Sequence, residues 1–135
     1  MPLATLAKVL SQANARNAAC SGFVCQGWED SRAYVAAGET AGAPVILSAG
    51  PGARANMPVH LWGEMFRELA KSARVPVVAH LDHGRTVEEC IAAIDAGFSS
   101  VMIAGSALPL AENIALTNAV SAAASRFNVS VEAEV

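Results

Sequence analysis

Apolar residues follow two different spacings along this chain, and the spacings predict helices that alternate with strands. Between Leu3 and Leu10 they recur three and four positions apart, which is typical of one face of a helix. The same reasoning and the helix-end signals predict helices over residues 3–18, 28–41, 59–73, 86–97 and 112–127. Short apolar runs predict buried strands over residues 21–25, 44–49, 75–84, 98–103 and 129–135, with a glycine-containing loop at 50–52.

Strands that alternate with helices of this length predict βαβ units, and therefore a parallel sheet. Five strands are predicted, and no covering helix follows the fifth. Because parallel strands need cover on both faces, we expect residues 1–135 to form the N-terminal part of a single β/α (TIM) barrel domain, about half of one. A complete flavodoxin-like sheet of five strands is the structural alternative, although it would require a closing helix after Val135.

Composition narrows the classes of protein that this chain can represent. Of its 135 residues, 53% are hydrophobic and 16% are charged, which is typical of a globular domain. The net charge of −3 and the absence of a basic run argue against nucleic acid or an anionic membrane as a partner. No apolar run is long enough to span a bilayer. Cys20, Cys25 and Cys90 lack metal-ligand spacing and are expected to be reduced, as in a cytoplasmic protein.

The strand predicted over residues 75–84 ends in Asp82 and His83, directly before Gly84. Its polar side chains therefore gather at the carboxyl end, where parallel α/β folds place their chemistry. From the dipeptide alone, an Asx turn beside a hydrogen-bonded histidine is the favoured interpretation, and only the flanking motifs described below favour a functional role. His80 is expected to be a packed or supporting residue. Glu132 and Glu134 share one face of the last strand, where they either face the barrel mouth or are edge charges.

Four segments together resemble the class II, metal-dependent ketose-bisphosphate aldolases. They are His80-Leu-Asp-His-Gly84, residues 96–103, residues 112–117 and residues 129–134. They occur in the order and at the spacing of that family. Over residues 1–74 the likeness is weaker.

The resemblance implies a role for three residues of this chain. Asp82 would exchange a proton with the C4 hydroxyl of a phosphorylated ketose, His83 would bind the catalytic Zn²⁺, and Glu134 would lie near the metal or at an auxiliary metal position. It also implies a homodimer or homotetramer. The two further zinc histidines and the phosphate-binding loop of the family lie in its later half, so we expect the 135-residue chain by itself to have little or no activity.

Three positions depart from the family pattern. Ala104 stands where members commonly have an aspartate that holds the auxiliary metal, which makes a second metal doubtful. Gly50 and Val24 stand where members often carry groups that orient the substrate. The alternative to an active aldolase is therefore a catalytically impaired, aldolase-like binding or assembly protein. Metal analysis would distinguish them, because such a protein need not retain stoichiometric zinc.

Overall fold

The computed structural model describes residues 3–135 as one five-stranded, entirely parallel sheet with its helices. The strands are β1 (Ser21–Val24), β2 (Val45–Ala49), β3 (Val77–Gly84), β4 (Ser100–Ile103) and β5 (Ser130–Ala133). The helices are α1 (Leu6–Asn14), α2 (Trp28–Ala41), α3 (Pro51–Asn56), α4 (Val59–Ser72), α5 (Val87–Asp95) and α6 (Leu110–Ala124), and a 3-10 turn (Ser125–Phe127) follows α6.

The strand order is β1-β2-β3-β4-β5, with every neighbour parallel. A flavodoxin-like sheet has a different order, in which the second strand lies at the edge, so that alternative is wrong. Strictly sequential parallel strands are the arrangement of a β/α barrel. The predicted fold class, the first five strands of such a barrel, is confirmed.

The two faces of the sheet are covered unequally. Alternate residues of β3, such as Val77 and Leu81, belong to the main apolar core that the sheet forms with helices α2 to α6. Val78 faces the other way and packs with Ile46 against Val9 of α1. Helix α1 therefore covers the amino-terminal part of the inner face, and the carboxyl-terminal part of that face carries polar side chains.

Most predicted elements are present, although several are shorter than predicted. Helix α2 has the predicted bounds and ends at Gly42, whose φ of 63° is the left-handed conformation that glycine adopts readily. Helix α1 begins at Leu6 because the Thr5 hydroxyl accepts a hydrogen bond from the Lys8 amide. The Thr86 hydroxyl caps α5 in the same way, as predicted.

The loop predicted at residues 50–52 is wrong in its extent. Gly50 is extended, and Pro51 occupies the first turn of α3, where its missing N–H costs no hydrogen bond and its fixed φ suits a helix. Glycine on both sides of the proline favoured the loop interpretation. The short helix matters because it carries Arg54 back over the ends of β2 and β3.

No helix within residues 3–135 is long and apolar enough to cross a membrane. Cys25 and Cys90 are buried and Cys20 is half-buried, and all three are free thiols. Burial raises the pKa of the Cys25 and Cys90 thiols to about 11, so both are protonated at neutral pH. The buried cysteines therefore behave as apolar core residues.

Candidate active site

Asp82 and His83 lie at the carboxyl end of β3, as predicted. The Asp82 side chain is 24% exposed and that of His83 is 50% exposed, and Oδ1 of Asp82 is 3.9 Å from Nε2 of His83. Both side chains are therefore accessible at the mouth of the sheet and lie beside each other. A carboxylate and an imidazole in such a position can take part in proton transfer or metal binding without being buried unpaired.

The backbone of His83 causes the change of direction at the end of this strand. Its φ is 51°, in the left-handed region that non-glycine residues rarely adopt. The pairing of β3 with β4 shifts between Leu81 and Gly84, so Asp82 and His83 have no register partner in β4. The turn therefore falls at His83, one residue before the glycine, and it lets the neighbouring side chains of Asp82 and His83 reach the same opening.

A row of polar residues crosses the inner face directly below Asp82. Ser48, His80, Ser100 and Ser130 are in register on four adjacent strands. His80 is 4% exposed, and its Nδ1 lies 2.9 Å from Oγ of Ser100. His80 is thus the packed, supporting residue that its position in the strand predicted.

The neighbours of His80 have opposing effects on its charge. Burial lowers the pKa of the His80 imidazole, the carboxylates of Glu132 and Asp82 raise it, and His83 lowers it. Burial is the largest of these causes, so the pKa lies below its ordinary value of 6.5 and the ring is neutral at pH 7. The 3.6 Å approach between Nε2 of His80 and Oε2 of Glu132 is consequently a polar contact and not an ion pair at that pH.

Glu134 lies just beyond β5 and is held by residues of the neighbouring loop and helix. Oε1 of Glu134 accepts a short hydrogen bond from the Ser106 hydroxyl, and its carbonyl oxygen accepts one of 2.7 Å from Nδ2 of Asn113. Polar side chains of a surface helix ordinarily face solvent, but Asn113 is only 4% exposed. Its buried amide is satisfied by the Glu134 carbonyl and by the Thr117 hydroxyl, which donates to its Oδ1.

The side chains at the mouth do not by themselves complete a zinc site. Strand β5 is two strands from β3, so His83 and Glu134 are on strands roughly 10 Å apart. Among residues 3–135, no three histidine, cysteine, aspartate or glutamate side chains converge closely enough to hold a metal ion. A catalytic zinc usually takes three protein ligands, so His83 offers one part of such a set.

One of the departures from the family pattern, Gly50, lies next to Asp82. A Cβ atom placed on Gly50 would be 3.4 Å from Oδ2 of Asp82 and 3.7 Å from Cγ1 of Val24, a second departure. A hydrogen-bonding side chain at position 50 would therefore reach the carboxylate, and this chain has none there. Ala104 belongs to a different strand end, where its amide donates to the Gly84 carbonyl.

Arg54 is a residue of this region that sequence reasoning did not find. Its side chain is 7% exposed, and it forms an ion pair of 2.8 Å with Glu89 at the start of α5. A buried arginine between two strand ends is unusual unless its donors are satisfied. The only signal in the sequence was an arginine shortly after a buried strand, which is too common to be informative.

The fold and the strand-end residues define a β/α-barrel protein with titratable side chains at the carboxyl ends of its strands. A profile of the family "Fructose-bisphosphate aldolase class-II" matches residues 4–135, and the chain belongs to that family. This confirms the resemblance found in the sequence motifs.

Named relatives cover the whole chain with moderate identity. It is 40% identical to a 6-phospho-5-dehydro-2-deoxy-D-gluconate aldolase of Bacillus velezensis, of which it covers 48%. It is 37% identical to a fructose-bisphosphate aldolase of Staphylococcus aureus, again over 48% of that protein. The YdjI aldolase of Escherichia coli K12 superposes on 98% of the chain with a TM-score of 0.93 and 32% identity, and half of YdjI is covered. The chain thus spans about half the length of the curated relatives it matches.

Proposed function

We propose that the complete protein is a cytoplasmic, metal-dependent aldolase that reversibly cleaves a phosphorylated ketose into a dihydroxyacetone-phosphate-type product and an aldehyde. The observation that carries the proposal is the pair Asp82 and His83, adjacent and accessible at the carboxyl end of a strand in a chain of the class II aldolase family. Proton transfer and metal binding both require groups placed in this way.

Asp82 is the proton carrier in this proposal. Its half-buried carboxylate accepts the proton of the substrate C4 hydroxyl as the C3–C4 bond breaks, and returns it in the condensation direction. His83 contributes one imidazole ligand to Zn²⁺. When bound, the ion supplies positive charge that stabilises the negative charge developing on the ketose oxygens. No three potential ligand side chains among residues 3–135 converge on one point, so His83 is the one ligand that the proposal assigns.

The substrate is proposed by class. The named relatives are aldolases for fructose bisphosphate and for 6-phospho-5-dehydro-2-deoxy-D-gluconate, both phosphorylated carbonyl compounds. We include fructose-bisphosphate and tagatose-bisphosphate among the candidates. A homodimer or homotetramer is the proposed assembly, and an auxiliary metal is not proposed because Ala104 lacks a ligand atom.

The test is an aldol-cleavage assay of the zinc-loaded complete protein against a panel of phosphorylated ketoses. We expect activity on at least one, and Asp82→Asn should lower kcat by about 10²–10⁴-fold because proton transfer is lost. Asp95→Asn, on the exposed side of α5, is the matched control and should leave kcat unchanged. No cleavage of any ketose phosphate, or full activity of Asp82→Asn, would exclude the proposed function.

The second candidate is an aldolase-like binding or assembly protein with impaired catalysis. The absence of a polar side chain at Gly50, which lies next to Asp82, and at Val24, which lies next to Gly50, favours it. Its signature would be a folded protein that neither cleaves ketose phosphates nor holds stoichiometric zinc. Reintroducing a hydroxyl by Gly50→Ser would then raise activity in an impaired enzyme and leave a binding protein inactive.

A further inference from the structure

Arg54 links the ends of the two strands that form the centre of the candidate site. One of its terminal nitrogens, Nη1, donates to the carbonyl oxygen of Ala49 at the end of β2 and, over 2.7 Å, to that of Asp82. The other, Nη2, donates to the carbonyl oxygen of His83 over 3.2 Å. One guanidinium therefore bonds to the main chain of both predicted site residues.

Glu89 fixes the orientation of this guanidinium. Its Oε1 accepts from Nε and Nη2 of Arg54 at 3.0 and 2.8 Å, and its Oε2 accepts from the Arg85 amide at 2.8 Å. Glu89 is itself set in the first turn of α5, where its amide donates to the Thr86 hydroxyl. The planar, five-donor fork of arginine suits such a set of acceptors, and the point charge of lysine does not.

Sheet pairing holds the residues on either side of the two site residues, since Leu81 pairs with β2 and β4 and Gly84 pairs with β4. The pairing with β2 stops at Leu81, and the pairing with β4 shifts between Leu81 and Gly84, so neither Asp82 nor His83 has a register partner. His83 also holds a left-handed φ of 51°. A non-glycine residue keeps such a conformation only when its surroundings impose it. The Arg54 bonds act on the two peptide groups that determine where both side chains point.

We propose that Arg54 is a positioning residue, which acts through the Asp82 and His83 carbonyls to hold the proton-carrying carboxylate and the metal-binding imidazole in their working geometry. This inference rests on the proposed aldolase function for its kinetic consequence. Its structural part, the restraint of residues 82–84 by Arg54, is independent of the reaction. Arg54 does not touch the substrate in this account.

The kinetic test compares Arg54→Ala with the wild type in the complete protein. We expect kcat to fall about 100-fold, the usual effect of misplacing catalytic groups by about 1 Å, while KM changes less than about twofold. Because Arg54 borders an open groove with Gly52 and Arg85, guanidinium chloride at millimolar concentration should enter the vacated space and recover at least about tenfold of the loss. Methylammonium chloride, which carries the charge but lacks the planar fork, should recover much less of the loss.

Two further variants test whether the loss of kcat is specific to the Arg54 guanidinium. Arg54→Lys keeps the charge but not the fork, so its kcat should lie between those of the wild type and Arg54→Ala. Arg74→Ala removes an exposed arginine that pairs with Glu39 away from the site, and it should leave kcat unchanged. Wild-type kcat in Arg54→Ala, or a loss that neither guanidinium nor lysine reduces, would overturn the positioning role while leaving the aldolase function intact.

Hydrogen exchange supplies a measurement that needs no activity. In Arg54→Lys, which retains a buried cation and should fold, amides of residues 82–84 should exchange at least about tenfold faster, and those of β4 (Ser100–Ile103) should be unchanged. Unchanged exchange at residues 82–84 would overturn the inference even if the wild type were active. Faster exchange in a protein without aldolase activity would support the restraint and reject the proposed reaction.

Discussion

His83 occupies a backbone conformation that its residue type disfavours. A left-handed φ of 51° brings the Cβ of a non-glycine residue close to the following carbonyl, at a cost of roughly 1–2 kcal/mol. Strained residues of this kind cluster at functional sites, where the surrounding structure imposes their conformation. The left-handed turn thus lowers the stability of the fold slightly and places the imidazole at the mouth of the sheet next to Asp82.

Replacement of His83 by glycine should make the fold more stable. We expect His83→Gly to raise the free energy of unfolding by about 1 kcal/mol, because glycine adopts this φ without the steric cost. Urea denaturation followed by circular dichroism measures it. Asn128→Gly is the matched control, since Asn128 has a similar φ of 54° but asparagine tolerates it better, so its gain should be smaller. A less stable His83→Gly would show that the turn is not strained.

His80 gives the fold a predictable dependence on pH. Its pKa is lowered by burial, so the unfolded chain binds a proton more readily than the folded one once the pH falls below about 6.5. The contribution of His80 to stability is therefore complete above pH 6.5 and decreases as the pH falls. We expect His80→Asn to lose less unfolding free energy than the wild type between pH 7.5 and pH 5.5, measured by denaturant titration at each pH. An equal loss would exclude a lowered pKa.

At the residue scale, site residues could be predicted from the sequence where titratable side chains end a clear strand pattern. Asp82 and His83 were predictable because an acid and an imidazole end an apolar run. Arg54 and Asn113 were not, because their importance depends on carbonyl groups that are distant in sequence, those of His83 and Glu134. Long-range hydrogen bonds leave no local pattern.

Helices α4 and α5 approach closely at Gly63, which illustrates how elements of the outer layer are held. A Cβ atom on Gly63 would lie 2.2 Å from the carbonyl oxygen of Ala96 and 2.9 Å from its carbonyl carbon. Both are backbone atoms, so the conflict cannot be relieved by a side-chain rotation. This glycine sets the distance between the two helices that follow β2 and β3.

Gly63→Ala should therefore destabilise the fold by about 1–3 kcal/mol, the usual cost of overpacking, in thermal or urea denaturation. Gly52→Ala in α3 is the control, because no atom lies within 4 Å of the added methyl group, and alanine favours a helix by roughly 0.5–1 kcal/mol. Equal stabilities for the two variants would mean that the α4–α5 contact is looser than described.

At the scale of elements, short helices and element ends were harder to predict from the sequence than long helices. Long helices such as α2 and α4 were predicted closely, and the end of α2 was predictable because Gly42 and Pro44 follow it. The six-residue helix α3 was missed because one and a half turns contain too few residues for a repeat, and its Gly50-Pro51-Gly52 start equally suits a loop. Element ends were the least accurate, since capping residues and not hydrophobicity set them.

On the scale of the whole molecule, the sheet that residues 3–135 form ends in two strands that are each paired on one side only. β1 and β5 are the outermost of the five strands, and Leu110, Ile114 and Phe127 near β5 are more than half exposed. Unpaired parallel edges and exposed apolar groups favour association. The fold class could be predicted from alternating segments alone, but the strand order and these edges needed the structure.

We expect the 135-residue chain to associate with increasing concentration. Sedimentation velocity should show species larger than a monomer at micromolar concentration, and Leu110→Gln with Ile114→Gln should reduce them. Leu61→Gln, which replaces an exposed leucine on α4, a helix that packs against α2, α5 and β3, is the control and should not. A wild-type chain that stays monomeric at every concentration would contradict this prediction. The 135-residue chain is also expected to be inactive, and aldolase activity of that chain would contradict this second expectation.

Zinc content tests the account most directly, because every functional role proposed here depends on a metal-binding imidazole next to a proton-carrying acid. The complete protein, saturated with Zn²⁺ and then freed of unbound metal, should retain about one zinc per chain by elemental analysis. His83→Ala should retain almost none, whereas His60→Ala, which removes an exposed histidine of α4, should retain as much as the wild type. Equal zinc in His83→Ala and the wild type, or none in either, would contradict the account.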